Sequence, residues 1–269
     1  MNLDSPVTKY LPYFKMKDAR YKDITVRQLL LHSSGIPDVG GSENYHWDQP
    51  EYDDQALERY VKSLAPKKLD FRPGKKYSYS NSAYNVLGDI IAKVSGKSYE
   101  AYIRESIYQP NDMQESTCER KTVPDQLAVA PHIQDKNKEV QVSSVYPYNR
   151  AHTPCSCLHS NVVDLLKWTQ TQLNQGMYKE QKILGPEAYR RLSEGQIKKS
   201  KVIQASMGWD SGPLKGKTRY EYSGRDVGFQ TYVLFVPEVD FALVFLSNGD
   251  FSPPAFDILL MAYDLALQY

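Results

Sequence analysis

Ile24-Thr25-Val26-Arg27-Gln28-Leu29-Leu30-Leu31-His32-Ser33-Ser34-Gly35-Ile36-Pro37 is the stretch on which the reading of this chain turns. Thr25 with Gln28 three residues on has the form of a capping box, in which a hydroxyl and a side-chain amide satisfy backbone groups that a helix start leaves unpaired. Val26, Leu29 and Leu30 supply an apolar stripe, and Gly35 stands where a C-cap glycine belongs. A short helix ending in His32-Ser33-Ser34-Gly35 is therefore expected.

Downstream, the spacing predicts a helix over 51–64 with Leu57, Tyr60, Val61 and Leu64 on one side, stopping before Pro66. Ala83, Val86, Leu87, Ile90, Ile91 and Val94 recur at helical spacing with Gly96 behind them, the clearest periodicity in the chain. Helices are also expected over 99–107 and over 162–173, the latter opened by Ser160 or Asn161 and closed by Gly176. Past position 200 the pattern changes. Thr218–Ser223, Gly228–Val236 and Phe241–Ser247 are rich in Tyr, Val and Phe and read as adjacent antiparallel strands, with Pro237-Glu238 in the turn between the last two. Ser252, Pro253 and Pro254 then start a final helix whose Ile258, Leu259, Ala262, Leu265 and Ala266 form a stripe suited to covering a sheet face. Helices first and strands with a covering helix later mean an α+β fold. Residues 1–200 form its mainly helical region and 201–269 its sheet and covering helix, as one interdependent unit.

Composition narrows the function. A chain of 269 residues, 41% hydrophobic and 24% charged, has the make-up of a globular protein and not of a disordered one. Its 33 Lys and Arg against 32 Asp and Glu leave a formal charge of +1, without the basic footprint that a nucleic-acid partner requires. No apolar run approaches the ~20 residues that span a bilayer, and Met1-Asn2-Leu3-Asp4 has neither the basic start nor the apolar stretch of a signal peptide. Three cysteines do not make a disulfide scaffold.

Five segments in order carry a resemblance. The 24–37 stretch resembles the "ITVRHLLTHTSGLP" block of the serine β-lactamase-related family, which includes class C β-lactamases, DD-peptidases and related esterases. Phe71-Arg72-Pro73-Gly74 followed by Tyr79-Ser80-Asn81 is similar to its "F-x-P-G … Y-S-N" block. Tyr222-Ser223-Gly224, Gly228-Phe229 and Leu246-Ser247-Asn248 resemble its "H-x-G … G-F … L-x-N" strands, and the likeness runs from about Leu3 to the C-terminus. The resemblance implies a penicillin-binding-protein-like fold, helical region plus antiparallel sheet, and hydrolysis of an amide or ester through an acyl-serine. It also implies a Ser-x-x-Lys nucleophile, and no serine of this sequence has a lysine three residues later. Leu3–Pro12 resembles the segment that follows the nucleophile helix, so that helix and the family's N-terminal strands are expected to be missing from 1–269, which makes the chain inactive as given. Cys118-Glu119-Arg120-Lys121 has a Cys-x-x-Lys spacing but falls outside the family's nucleophile position.

On this resemblance Tyr79 is the proton acceptor or donor and Asn81 the residue that positions the substrate amide, with Tyr222, Ser223, Gly224 and Arg225 binding substrate. The bare residues also allow Asn81 to be a helix cap and Tyr79 one of 21 packing tyrosines. Tyr222 stands where β-lactam-recognising members have Lys or His and brings no positive charge to a carboxylate. Gly224 would let a substrate backbone approach, and the Arg225 N–H occupies the family's oxyanion-hole position. No cofactor is expected. His152, Cys155, Cys157 and His159 could ligate zinc, though the family counterpart of this segment is a small-residue stretch. The partner implied is a small-molecule, peptide or peptidoglycan-like substrate, and missing central strands imply a homodimer or association with an N-terminal segment. The alternative is a catalytically inactive homologue that binds a peptide or glycan. The resemblance alone places the protein outside the cytoplasm.

Overall fold

In the computed structural model, residues 1–40, 42–251 and 255–266 are described. The chain opens with α1 (Val7–Tyr10) and, after a 3-10 turn, α2 (Val26–Leu30). The capping box forms: the Gln28 amide donates to Thr25 Oγ1 (3.3 Å), and the Thr25 amide donates to Gln28 Oε1 (3.0 Å). The other end of α2 differs from expectation. The helix stops at Leu30 with Leu31 as C-cap, and it is His32 that takes a left-handed conformation next, at φ 50°. Gly35 is required for another reason, since a Cβ there would stand 2.4 Å from the Phe71 carbonyl oxygen. The loop after α2 is thereby laid against the Phe71–Gly74 turn, with Asp70 donating to the Gly35 carbonyl (2.9 Å) and Gly74 to that of Ser33 (2.8 Å).

α3 (Ala56–Ser63) is shorter than predicted, because the backbone at Glu51 and Tyr52 is engaged by Arg150 instead. α4 (Asn81–Ser95) ends on Gly96 in the left-handed conformation, and α5 (Tyr99–Ile103) runs on into a π-helical turn over Arg104–Tyr108. Val7, Leu11, Ile24, Leu29, Val61, Ala83, Val86 and Ile90 form a core fully shielded from water. Val94 is the exception in the predicted stripe, at 52% exposure near the helix end. A Cβ at Gly88 would lie 2.0 Å from Pro154, so glycine there lets the 150–157 segment pack on α4.

Beyond a hairpin of β1 (His132–Gln134) and β2 (Val140–Val142) comes α6 (Val162–Leu173), capped by Asn161, whose side chain accepts from the Asp164 amide. A small hairpin of β3 (Met177–Tyr178) and β4 (Gln181–Lys182) leads to α7 (Pro186–Ser193). The main sheet starts earlier than the sequence suggested. It comprises β5 (Ile197–Lys198), β6 (Gln204–Ala205), β7 (Asp210–Leu214), β8 (Lys217–Asp226), β9 (Phe229–Val236) and β10 (Phe241–Ser247). These lie side by side in chain order, each neighbouring pair antiparallel. α6 packs on β9 and β10, and α8 (Ala255–Ala266) packs on β10.

The stripe predicted for this last helix is turned. Tyr263 is buried, edge-on to Phe241 (5.1 Å), and Leu260 joins it, whereas Ile258 and Leu265 are exposed. Tyr263 and Leu260 join a cluster with Leu214, Leu234, Val236 and Leu243, so the sheet takes this side of the helix and not the wider periodic stripe. Ser252, Pro253 and Pro254 lie outside the described residues, as does the side chain of Leu259. Among the described residues no helix is long and apolar enough to cross a membrane.

Candidate active site

Three segments of the quoted motifs meet at His32, which is 4% exposed. The Ser80 amide donates to its Nδ1 (3.1 Å), so the ring proton sits on Nε2, which faces Tyr222 Oη at 3.4 Å and donates to it. The imidazole stacks on Tyr84 at 4.8 Å, lies 4.4 Å from Tyr79 and meets Tyr77 edge-on at 5.8 Å. Burial, assisted by the Lys199 ammonium, holds its pKa down to about 4, so it is neutral at pH 7.

α4 places the next two groups. Ser80, not Asn81, is the N-cap, its Oγ accepting from the Ala83 amide (3.1 Å). Asn81 is the first helical residue; its backbone N–H donates to Asp38 Oδ1 (2.7 Å), and its side chain is left to accept from Tyr79 Oη (3.0 Å). Tyr79 keeps 42% of its surface exposed, yet its hydroxyl end lies among Cys155, Asp38 and a hydrogen-bonding Tyr222. Burial, with the nearby Cys155 and Asp38, pushes its pKa to about 12. It is a neutral phenol at pH 7, able to donate a hydrogen bond, and with no phenolate present to act as a base.

β8 supplies the third wall. Its pairing with β7 ends at Glu221, while its pairing with β9 continues to Asp226, so among the described residues the backbone over 222–226 has one edge without a strand partner. Tyr222 and Gly224 sit opposite Val233 and Thr231 and point to the helical region. Ser223 and Arg225 sit opposite Tyr232 and Gln230, and their exposed side chains point to the other sheet face. Only Tyr222 and Gly224 of the four thus turn toward Tyr79. A Cβ at Gly224 would meet Thr231 Oγ1 at 2.7 Å, so internal packing restricts this position as well. Lys199, paired with Asp210 and 5.6 Å over the Tyr77 ring, is a cation that faces this cluster.

The Cys and His residues do not converge. His152 is buried among the rings of Tyr60 (4.6 Å), Tyr45 (4.7 Å) and Trp47 (5.8 Å), with Nδ1 2.9 Å from Asn85 Nδ2. His159 stacks instead on Tyr146 at 5.8 Å, and a left-handed Cys157 (φ 67°) turns the chain between them. Burial raises the Cys155 and Cys157 thiols, the latter to about 12, so both are neutral at pH 7. Among the described residues no three His, Cys, Asp or Glu side chains are placed to hold an ion. Cys118 is buried on Tyr108 Oη (3.0 Å), while Lys121 lies over the Tyr52 ring (4.1 Å), so that motif too is not brought together.

Sequence reasoning passed over His32, Tyr77, Tyr84 and Asp38. His32 lay inside the most informative stretch, and a histidine directly after a helix, where the chain must turn, was the available signal.

The profile of the Beta-lactamase family matches residues 1–268. The chain belongs to that family. This is the serine β-lactamase-related family, with penicillin-binding-protein homologues among its relatives, and the α+β arrangement described above is its fold. "Protein flp" of Staphylococcus aureus (strain MW2) is 27% identical over 250 residues, covering 92% of this chain and 48% of its own length. The chain thus spans about half the length of the curated relatives it matches. Among solved structures, the octameric penicillin-binding protein homologue from Pyrococcus abyssi superposes with a TM-score of 0.85 at 28% identity, covering all of this chain and 60% of that one. The D-stereospecific amidohydrolase from Streptomyces sp. superposes at 0.80 with 22% identity, covering 96% of this chain and 78% of that one, a likeness of fold.

Proposed function

We propose that residues 1–269 carry the Tyr79–Asn81 and β8 parts of a serine hydrolase that opens an amide or ester bond through an acyl-serine. The observation that carries this reading is Tyr79 Oη, held 3.0 Å from Asn81 Oδ1 and hydrogen-bonded to Tyr222 beside the 222–226 edge of β8. An extended substrate laid along that edge gains backbone hydrogen bonds from 222–226 and brings its carbonyl in front of Tyr79. Tyr79, protonated at neutral pH, donates to the leaving group, and Asn81 orients both the phenol and the substrate amide. Tyr222 binds by a neutral hydrogen bond, and Gly224 leaves room for the substrate backbone. Ser223 and Arg225 act through their main chain, the Arg225 N–H polarising the carbonyl oxygen. The substrate class is a small amide or ester, or a peptide or peptidoglycan-like chain; the likeness to a D-stereospecific amidohydrolase supports an amide.

The acylation step needs a serine activated by a lysine, and the 269 residues contain no Ser-x-x-Lys. Residues 1–269 on their own therefore bind without turning over. The helical region 1–200 and the sheet 201–269 act as one unit in this, because the site is the contact of His32 with Tyr222. The test is hydrolysis of a p-nitrophenyl ester by 1–269 and by the longer protein, 1–269 together with whatever is encoded in frame before it. The first is expected to be inactive and the second active, losing most of its rate as Tyr79→Phe. A longer frame without Ser-x-x-Lys, or full activity of 1–269, overturns the reading. The second reading, a binding homologue without catalysis, draws on Tyr222, which meets the site with an uncharged hydroxyl already engaged by His32. Covalent capture of a fluorescent β-lactam by the longer protein would remove it.

A further inference from the structure

Beside the site lies a cavity of about 590 Å³ that the mechanism does not use, walled by Trp47, Tyr52, Tyr146 and Tyr148 together with Arg120 and Lys121. Two cation–aromatic columns build one side. The Arg120 guanidinium lies 4.9 Å over Tyr146, whose ring is parallel to His159 at 5.8 Å. The Lys121 ammonium lies 4.1 Å over Tyr52, which stacks on Tyr148 at 5.5 Å. Resting on rings that are themselves stacked, both cations are ordered before any ligand arrives, which lowers the entropic cost of binding. Among the described residues neither makes an ion pair, nor do Asp48 and Asp125, the two acids that line the same cavity. The cavity is tied to the site through Trp47, whose Nε1 donates to Asp226 Oδ1 (3.0 Å), the last residue of β8. A ligand running along the open edge of β8 toward Asp226 therefore heads for this cavity.

We propose that this cavity is a binding pocket for a carboxylate, carried by the far end of a peptide or amide ligand whose other end lies along β8. Arg120 and Lys121 hold the carboxylate, the tyrosine rings and Trp47 flank its apolar part, and Asp48 and Asp125 face its amide N–H groups from the rim. Position 222 carries no cation and Lys199 beside it is paired with Asp210, so the cations left to recognise an acidic ligand are Arg120 and Lys121 at this pocket, away from the scissile bond. The proposal concerns binding and holds whether or not the longer protein hydrolyses its ligand.

Calorimetric titration of 1–269 with N-acetyl-D-phenylalanine and with its carboxamide tests it. The acid is expected to bind about tenfold more tightly than the amide, the equivalent of one charge-assisted contact, with the preference shrinking as salt is added. Arg120→Gln with Lys121→Gln is expected to abolish the preference and leave amide affinity within about twofold. Lys17→Gln with Lys22→Gln, an equal charge change elsewhere, is expected to retain it. Equal binding of acid and amide, no binding of the acid, loss of the preference in the Lys17/Lys22 variant, or its persistence in the Arg120/Lys121 variant overturns the assignment. Inorganic phosphate competing as well as the acid would also overturn it, as a general anion patch.

Discussion

The core around α4 and the sheet edge at β10 are both built from aliphatic and aromatic residues, but they are closed to different degrees. Around α4, residues contributed by α1, α2 and α3 shield Val7, Ile24, Val86 and Ile90 completely. In β10 none of the seven residues from Phe241 to Ser247 is fully buried, and beside it α8 exposes Ile258 (38%), Met261 (68%) and Leu265 (58%). Among the described strands β10 pairs with β9, and it carries no charge or proline of the kind that guards exposed edges. A core whose partners all lie within some 90 residues of sequence is completed by local signals, whereas a sheet edge is completed only by whatever strand lies next to it.

The largest expected effect sharpens that contrast directly. Ile90→Ala should cost about 3 kcal/mol in urea unfolding and Leu243→Ala about 1, because only the first leaves a sealed cavity. Equal costs would mean that β10 is covered in solution. The second prediction concerns the junction between the two regions. His32 and His152 are both held to a pKa of about 4 by burial. Each takes up a proton on unfolding between pH ~6.5 and that value, so stability should fall as pH drops through this window and level off, on their account, below it. His32→Gln should flatten the fall, and an unchanged pH profile would show that His32 is not sealed between α2 and β8. Smaller still, Ser80→Ala should cost about 1 kcal/mol by uncapping α4, while Asn81→Ala should change stability by less than ~0.5 kcal/mol, since Ser80 holds the cap. The reverse order would restore Asn81 as a capping residue and break its link to Tyr79.

The same contrast explains what was legible beforehand. The α4 periodicity and the Thr25–Gln28 box are local patterns that the structure forms in place, and of the two caps the sequence offers for α6, Ser160 and Asn161, it takes Asn161. β5, β6 and β7 are not legible in the sequence, because Gln204-Ala205 and Asp210-Ser211-Gly212-Pro213-Leu214 have little strand character and are held in a ladder that leads to a strong neighbour, β8. The α8 stripe misled, because periodicity tells which residues share a face and not which face the sheet takes. Tyr79, Asn81 and Tyr222 are candidates on resemblance, and the structure brings their side chains together. Their wiring through His32 is not legible in the sequence, since it depends on a left-handed residue and a contact across 190 positions.

The 269 positions contain no Ser-x-x-Lys, and the function proposed for the site requires that pair. The most direct measurement is the intact mass of 1–269 after prolonged exposure to a fluorophosphonate. The account predicts an unmodified chain, with Tyr79, Asn81 and Tyr222 assembled and no serine activated to attack. A stoichiometric adduct on any serine between positions 1 and 269 would contradict it.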